Sequence, residues 1–237
     1  MKTKAIIFDK DGTLIDFDAF WVTISEYAVK EMFEILNCKD VPVNEALEAM
    51  GVKDGVTSIN GVLCYGTYKM MAEKIYGVLT KHGYTKSFEE VEELTLKTHK
   101  NHSDKGVVKG TCPDIKGFFK GLKERGIILA VVTTDVLSVT KHCLSALGIE
   151  EYFDEIYTDD GIVPAKPAPD AAFDLCRKYS LKPSEVVMVG DTVTDINFAK
   201  NADIDVICVA KSEENRQLLL KETSTVLPDI SYISLNE

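Results

Sequence analysis

Five short apolar runs constrain this chain more than any other feature: Ala5-Ile6-Ile7-Phe8, then residues 127–132, 156–157, 186–189 and 206–209. None alternates apolar with polar residues, so each suits a strand buried on both faces. That is the condition of a parallel sheet covered by helices. From residue 127 onward the runs alternate with helix-like stretches. Gly126 follows Leu122-Lys123-Glu124-Arg125, and Gly148 follows residues 144–147, each in the place of a helix C-terminal glycine.

Residues 16–105 have another texture. Phe17, Phe20, Trp21, Ile24, Ala28, Met32 and Ile35 recur at helical spacing, and Met70, Met71, Ile75, Val78 and Leu79 form a second stripe. Ser87-Phe88-Glu89-Glu90 fits a capping box ahead of Val91 and Leu94. No strand-like run stands out, so the reading is an α-helical insertion directly after the first strand. The glycines and charges of residues 101–110 mark the return linker. The expected organisation is α/β: core at 1–15, helical domain at 16–105, remaining core at 106–237. His99 and His102 stand three apart, but no third zinc ligand accompanies them, and both are read as solvent-facing.

The formal net charge is -11, which argues against nucleic acid as a partner, since a phosphate backbone needs a basic face. A small anionic ligand stays open, because a local cation overrides the global sign. The longest strong apolar run, residues 127–132, falls far short of the ~20 residues of a membrane span. The N-terminal apolar patch is too short for a signal peptide. Cysteines at 38, 64, 112, 143, 176 and 208 form no C-x-x-C pair and read as reduced thiols of a cytoplasmic protein. Monomer and homodimer are both compatible with the sequence.

Four places join polar groups to the C-terminal end of an apolar run, the edge at which open α/β sheets bind ligands. The first is Asp9-Lys10-Asp11-Gly12-Thr13. Two acids at a buried strand end are costly unless something uses them. Asp9 can attack phosphorus, Asp11 can exchange a proton with a leaving oxygen or a water, and Gly12 permits close backbone approach. The second is Thr133-Thr134-Asp135, where the Thr133 hydroxyl can hydrogen-bond a phosphate oxygen and Thr134 would supply backbone contacts. The third is Ala165-Lys166-Pro167-Ala168-Pro169-Asp170. Its prolines keep Lys166 out of any helix, and a fixed ammonium there can bind a transferring phosphoryl group. The fourth is Gly190-Asp191-Thr192-Val193-Thr194-Asp195, whose two acids share a face if a helix begins there and suit a hard cation such as Mg²⁺. Singly, each has an ordinary explanation: a turn pair, a strand end, a loop lysine, acids favoured by a helix dipole.

Together, in this order, the four resemble the motifs of the haloacid dehalogenase superfamily of phosphohydrolases, nearest to its phosphoglycolate-phosphatase-like members. The resemblance covers the whole chain. It implies a Rossmann-like core with a helical C1 cap inserted between the first two motifs, Mg²⁺ as cofactor and a small phosphorylated metabolite as substrate. It makes Asp9 the nucleophile and a metal ligand, and Asp11 the general acid/base and, by its carbonyl, a metal ligand. Thr133 and Lys166 would hold phosphoryl oxygens, and Asp191 and Asp195 would ligate the metal, the latter directly or through water. Lys53, in Gly51-Val52-Lys53-Asp54-Gly55 between cap helices, would meet the far end of the substrate. β-Phosphoglucomutases share this architecture but carry a histidine soon after the first motif, and residues 16–26 contain none. A phosphosugar mutase is therefore the second reading. A receiver-like phospho-acceptor is the third, disfavoured by the large insertion.

Overall fold

A computed structural model describes residues 3–234. The chain forms two compact units, one of Met1–Asp16 with Val108–Glu237, the other Phe17–Val107. In chain order, β1 (Ala5–Phe8) is followed by α1 (Thr23–Ile35), α2 (Val43–Ala49), β2 (Val52–Lys53), β3 (Val56–Thr57), α3 (Val62–Tyr65), α4 (Tyr68–Lys81) and α5 (Phe88–Asn101). Then come α6 (Ile115–Glu124), β4 (Ile128–Val132), α7 (Leu137–Leu147), β5 (Glu155–Tyr157), α8 (Asp170–Tyr179), β6 (Val186–Gly190), α9 (Val193–Ala202), β7 (Asp205–Val209), α10 (Glu213–Leu219) and β8 (Val226–Leu227).

The first unit is built on a six-stranded sheet of order β5-β4-β1-β6-β7-β8, parallel at every pairing. β1 lies between β4 and β6 with Phe8 in register with both Val131 and Val189. Its run is continuously apolar because both faces are buried. Ala5 and Ile7, with Ala130, Val186 and Met188, pack on Ala171 and Leu175 of α8 and Phe198 and Ala199 of α9. Phe8 points the other way, into an edge-to-face cluster with Phe119 of α6 at 5.2 Å and Phe153 at 6.4 Å between ring centroids. The period of two that turns alternate residues to opposite faces thus fills two apolar layers from four residues. Gly126 and Gly148 hold positive φ, +74° and +64°, at the helix ends the sequence assigned them. The sequence reading missed β8, a two-residue strand too short to carry a periodicity.

In the second unit, Val29, Met32 and Phe33 of α1, Ala46 and Leu47 of α2, Met71, Ala72, Ile75 and Leu79 of α4, and Val91 and Leu94 of α5 share one core. A π-helical turn, Asp18–Val22, leads into α1, and Ile35, the last residue of that helix, is exposed. Ser87 caps α5, its hydroxyl accepting from Glu90 N at 3.1 Å. Two local readings change here. The helical unit also carries a short hairpin, in which β2 and β3 pair antiparallel across an Asp54-Gly55 turn with φ of +51° and +77°. Asp-Gly between strand-compatible residues is a two-residue hairpin signal, and it places Lys53 on a strand instead of an interhelical loop. His99 is not solvent-facing either. It is fully buried, with Nδ1 2.7 Å from Thr95 O, Nε2 3.3 Å from Ser25 Oγ, and the Tyr68 ring packed on it.

Burial pushes the His99 imidazole down to about 4, against a partial offset from its bond to the Thr95 carbonyl. The unfolded chain binds that proton near 6.5 and the folded unit refuses it, so stability falls as pH drops from about 6.5 to about 4, by on the order of 3 kcal/mol in full. We expect His99→Asn to flatten this part of the stability–pH curve, measured by denaturant unfolding across pH 4–7. Parallel curves for the two proteins would assign the slope to other groups.

Candidate active site

Three parallel strands end at one edge, and each continues into a polar residue; ladder hydrogen bonds fix the first two in place. Asp9 N donates to Val189 O at 2.8 Å, extending β1 by one residue. Thr133 N donates to Tyr157 O at 3.0 Å, extending β4. Gly190 closes β6, and Asp191 follows it. A Cβ on Gly190 would stand 2.3 Å from Asp195 Cγ, so glycine there lets the first turn of α9 lie against the strand end. Asp195 is fully buried in that turn, where its Oδ2 accepts from Thr192 N at 3.0 Å and Thr192 Oγ1 at 2.7 Å.

Lys166 arrives from the loop between β5 and α8. A turn closed by Ala168 N on Ala165 O at 3.0 Å shapes this loop, and Asn201 Nδ2 of α9 pins it by donating to Pro167 O at 2.9 Å. The buried ammonium donates to Asp9 Oδ1 at 2.5 Å and to Asp195 Oδ1 at 2.6 Å. Burial alone would drive this lysine towards neutrality, but the charges of Asp195 and Asp9 outweigh it and hold its pKa above the ordinary value. On the acid side, burial pushes the Asp9 carboxyl up to about 7, Asp195 and Asp11 add to the rise, and Lys166 opposes it. Asp191 is raised well above the usual carboxylate range by burial, then by the charges of Asp9 and Asp195.

Oxygens of Asp9, Asp191 and Asp195 lie within 4.8 Å of one another. Asp191 Oδ1 is buried and, among the described residues, accepts no hydrogen bond. A buried carboxylate oxygen with no donor is costly, and three clustered acids, of which one ammonium contacts two, leave negative charge over. An all-oxygen donor set of this kind fits a hard divalent cation. Gly12 belongs to the same cradle: its φ is +78°, and a Cβ there would lie 1.9 Å from Asp191 Oδ2.

The remaining sequence candidates divide. Thr133 is buried, and its Oγ1 accepts from Asp135 N at 3.2 Å, which leaves the hydroxyl proton to donate. Thr134 is exposed. Asp11 is half-buried, with Oδ1 accepting from Lys10 Nζ at 2.7 Å. Lys53 is exposed on β2 and belongs to the other unit. Sequence reasoning passed over Lys10 and Asp135. Lys10 is fully buried and also pairs with Asp135 Oδ2 at 3.1 Å, although nothing in an Asp-Lys-Asp string marks its lysine as interior. It passed over Thr192 too, which Thr-x-x-Asp could have shown as a cap.

Residues 3–203 match the family model of the haloacid dehalogenase-like hydrolases. A phosphoglycolate phosphatase of Psychrobacter arcticus is 25% identical over 207 residues, covering 87% of this chain and 83% of that one. A phosphoglycolate phosphatase of Vibrio vulnificus is 29% identical over 204 residues, covering 84% and 80%. A haloacid dehalogenase-like hydrolase from Streptococcus pneumoniae shares the fold with a TM-score of 0.62 at 20% identity, covering 96% of this chain and 94% of that one. Four motifs that converge on one strand edge and a family match over most of the length agree: the chain belongs to the haloacid dehalogenase-like hydrolases, as a phosphoglycolate-phosphatase-like enzyme.

Proposed function

We propose that the protein is a Mg²⁺-dependent phosphatase that hydrolyses a small phosphorylated metabolite, of the phosphoglycolate or sugar-phosphate kind, through a phosphoaspartate on Asp9. The observation that carries this reading is the Lys166 ammonium held between Asp9 and Asp195 beside the undonated oxygen of Asp191. The names of the relatives support the substrate class.

The Asp9 carboxylate attacks phosphorus as the ester P–O bond breaks, and Asp11 gives its proton to the leaving oxygen. Asp11, now ionised, takes a proton from water. The water oxygen bonds to phosphorus, the acyl phosphate breaks, and Asp9 and inorganic phosphate are released. Lys166 and the Thr133 hydroxyl supply donors to the phosphoryl oxygens, on which charge is spread in the transition state. Asp9, Asp191, the Asp11 carbonyl and, directly or through water, Asp195 would hold Mg²⁺. A bound Mg²⁺ would supply the charge that keeps Asp9 and Asp191 ionised and would polarise the phosphoryl group. Asp195 also accepts from Lys166 and Thr192.

The purified protein should release phosphate from p-nitrophenyl phosphate and phosphoglycolate with Mg²⁺ and stop on chelation. Asp9→Asn should lower kcat by at least about a thousandfold. Full activity in that variant would sink the mechanism, and phosphate exchange between sugar positions without net release would favour the mutase. Gly12→Ala should raise the Mg²⁺ concentration for half-maximal activity by about tenfold or more, because its methyl displaces Asp191. A metal titration of the rate checks this, and an unchanged midpoint would remove Gly12 from the cradle.

A further inference from the structure

Lys10 is a fully buried lysine between Asp9 and Asp11. An ammonium taken out of water is costly unless it is paired. It sits 2.7 Å from Asp11 Oδ1 and 3.1 Å from Asp135 Oδ2. Asp135 is fixed in turn: Val136 N donates to its Oδ1 at 2.8 Å, and Asp159 N donates to its carbonyl at 3.0 Å. A chain of contacts therefore runs from the loops after β4 and β5 through Lys10 to one oxygen of Asp11. Among the described residues, no protein donor engages the other oxygen, Oδ2.

We propose that Lys10 is a positioning residue, anchored by Asp135, that clamps Oδ1 of Asp11 and reserves Oδ2 for proton exchange with the leaving group and the attacking water. This inference rests on the phosphatase reading, in which Asp11 moves the proton. A free aspartate rotates about its side-chain bonds and offers either oxygen. A clamped one presents a single oxygen in one place, and proton transfer depends on that placement. Lys10 need not touch substrate, and the clamp needs both partners: without Asp135 the ammonium follows Asp11, and without Lys10 the two carboxylates face each other unneutralised.

The test is the leaving-group dependence of kcat/KM, which reports the step that breaks the ester bond. A poor leaving group needs the acid, and an activated one does not. Lys10→Met and Asp135→Asn should each lower kcat/KM for phenyl phosphate by about a hundredfold, while p-nitrophenyl phosphate loses less than about threefold. The double variant should be no worse than the more affected single one, because both act through one clamp. A purely structural role would lower both substrates by the same factor, and that outcome, or no loss at all, overturns the proposal while the phosphatase reading stands. If Lys10→Met does not fold, Asp135→Asn carries the same comparison alone. A wild-type protein that hydrolyses neither ester would instead overturn the phosphatase reading itself and the clamp with it.

Discussion

The structure depends on a local excess of negative charge that it does not relieve. Asp9, Asp191 and Asp195 can bring oxygens within 4.8 Å of one another, and Lys166 contacts two of the three. In a weakly screening interior such crowding raises carboxyl pKa values and costs stability. The surrounding structure keeps the groups together: parallel pairing fixes Asp9, a glycine admits Asp195, and a pinned loop delivers the lysine.

α9 shows how one residue serves fold and chemistry together. Asp195 accepts from Thr192 at the start of the helix and holds Lys166 with its other oxygen. The helix terminus and the ammonium are thereby locked to the same carboxylate. Replacing it would loosen both. Asp191 contrasts with it: one oxygen of that carboxylate is buried and meets no donor among the described residues.

Much of the core and its edge could be read from the chain because strand burial and strand ends leave local signatures. Ala5–Phe8 is apolar on both faces, and the residues that follow each run are where the ladder stops. Asp9, Thr133 and Asp191 were legible for this reason, and Lys166 was legible through its prolines. What escaped was long-range or too short. Lys10 looks like any surface lysine until a residue 125 positions away is found to neutralise it. His99 lies on a helix with a charged face, and only packing against Ser25 and Tyr68 makes it interior. The β2–β3 hairpin has two-residue strands, so no window could show a periodicity, and its Asp54-Gly55 turn was the sole local signal.

The place where the chain leaves the core and the place where it returns are hydrogen-bonded neighbours. Asp16 N donates to Lys109 O at 2.8 Å, Thr111 N donates to Leu14 O at 3.2 Å, and Ile15 bridges Gly110. To the sheet, the intervening residues are a loop whose ends already meet. The entropy of closing such a loop rises only with the logarithm of its length. Insertion or loss of a helix there leaves the strand order and the strand-edge chemistry untouched. The sheet therefore closes on itself across this excursion, and its strand edge is complete without the inserted residues.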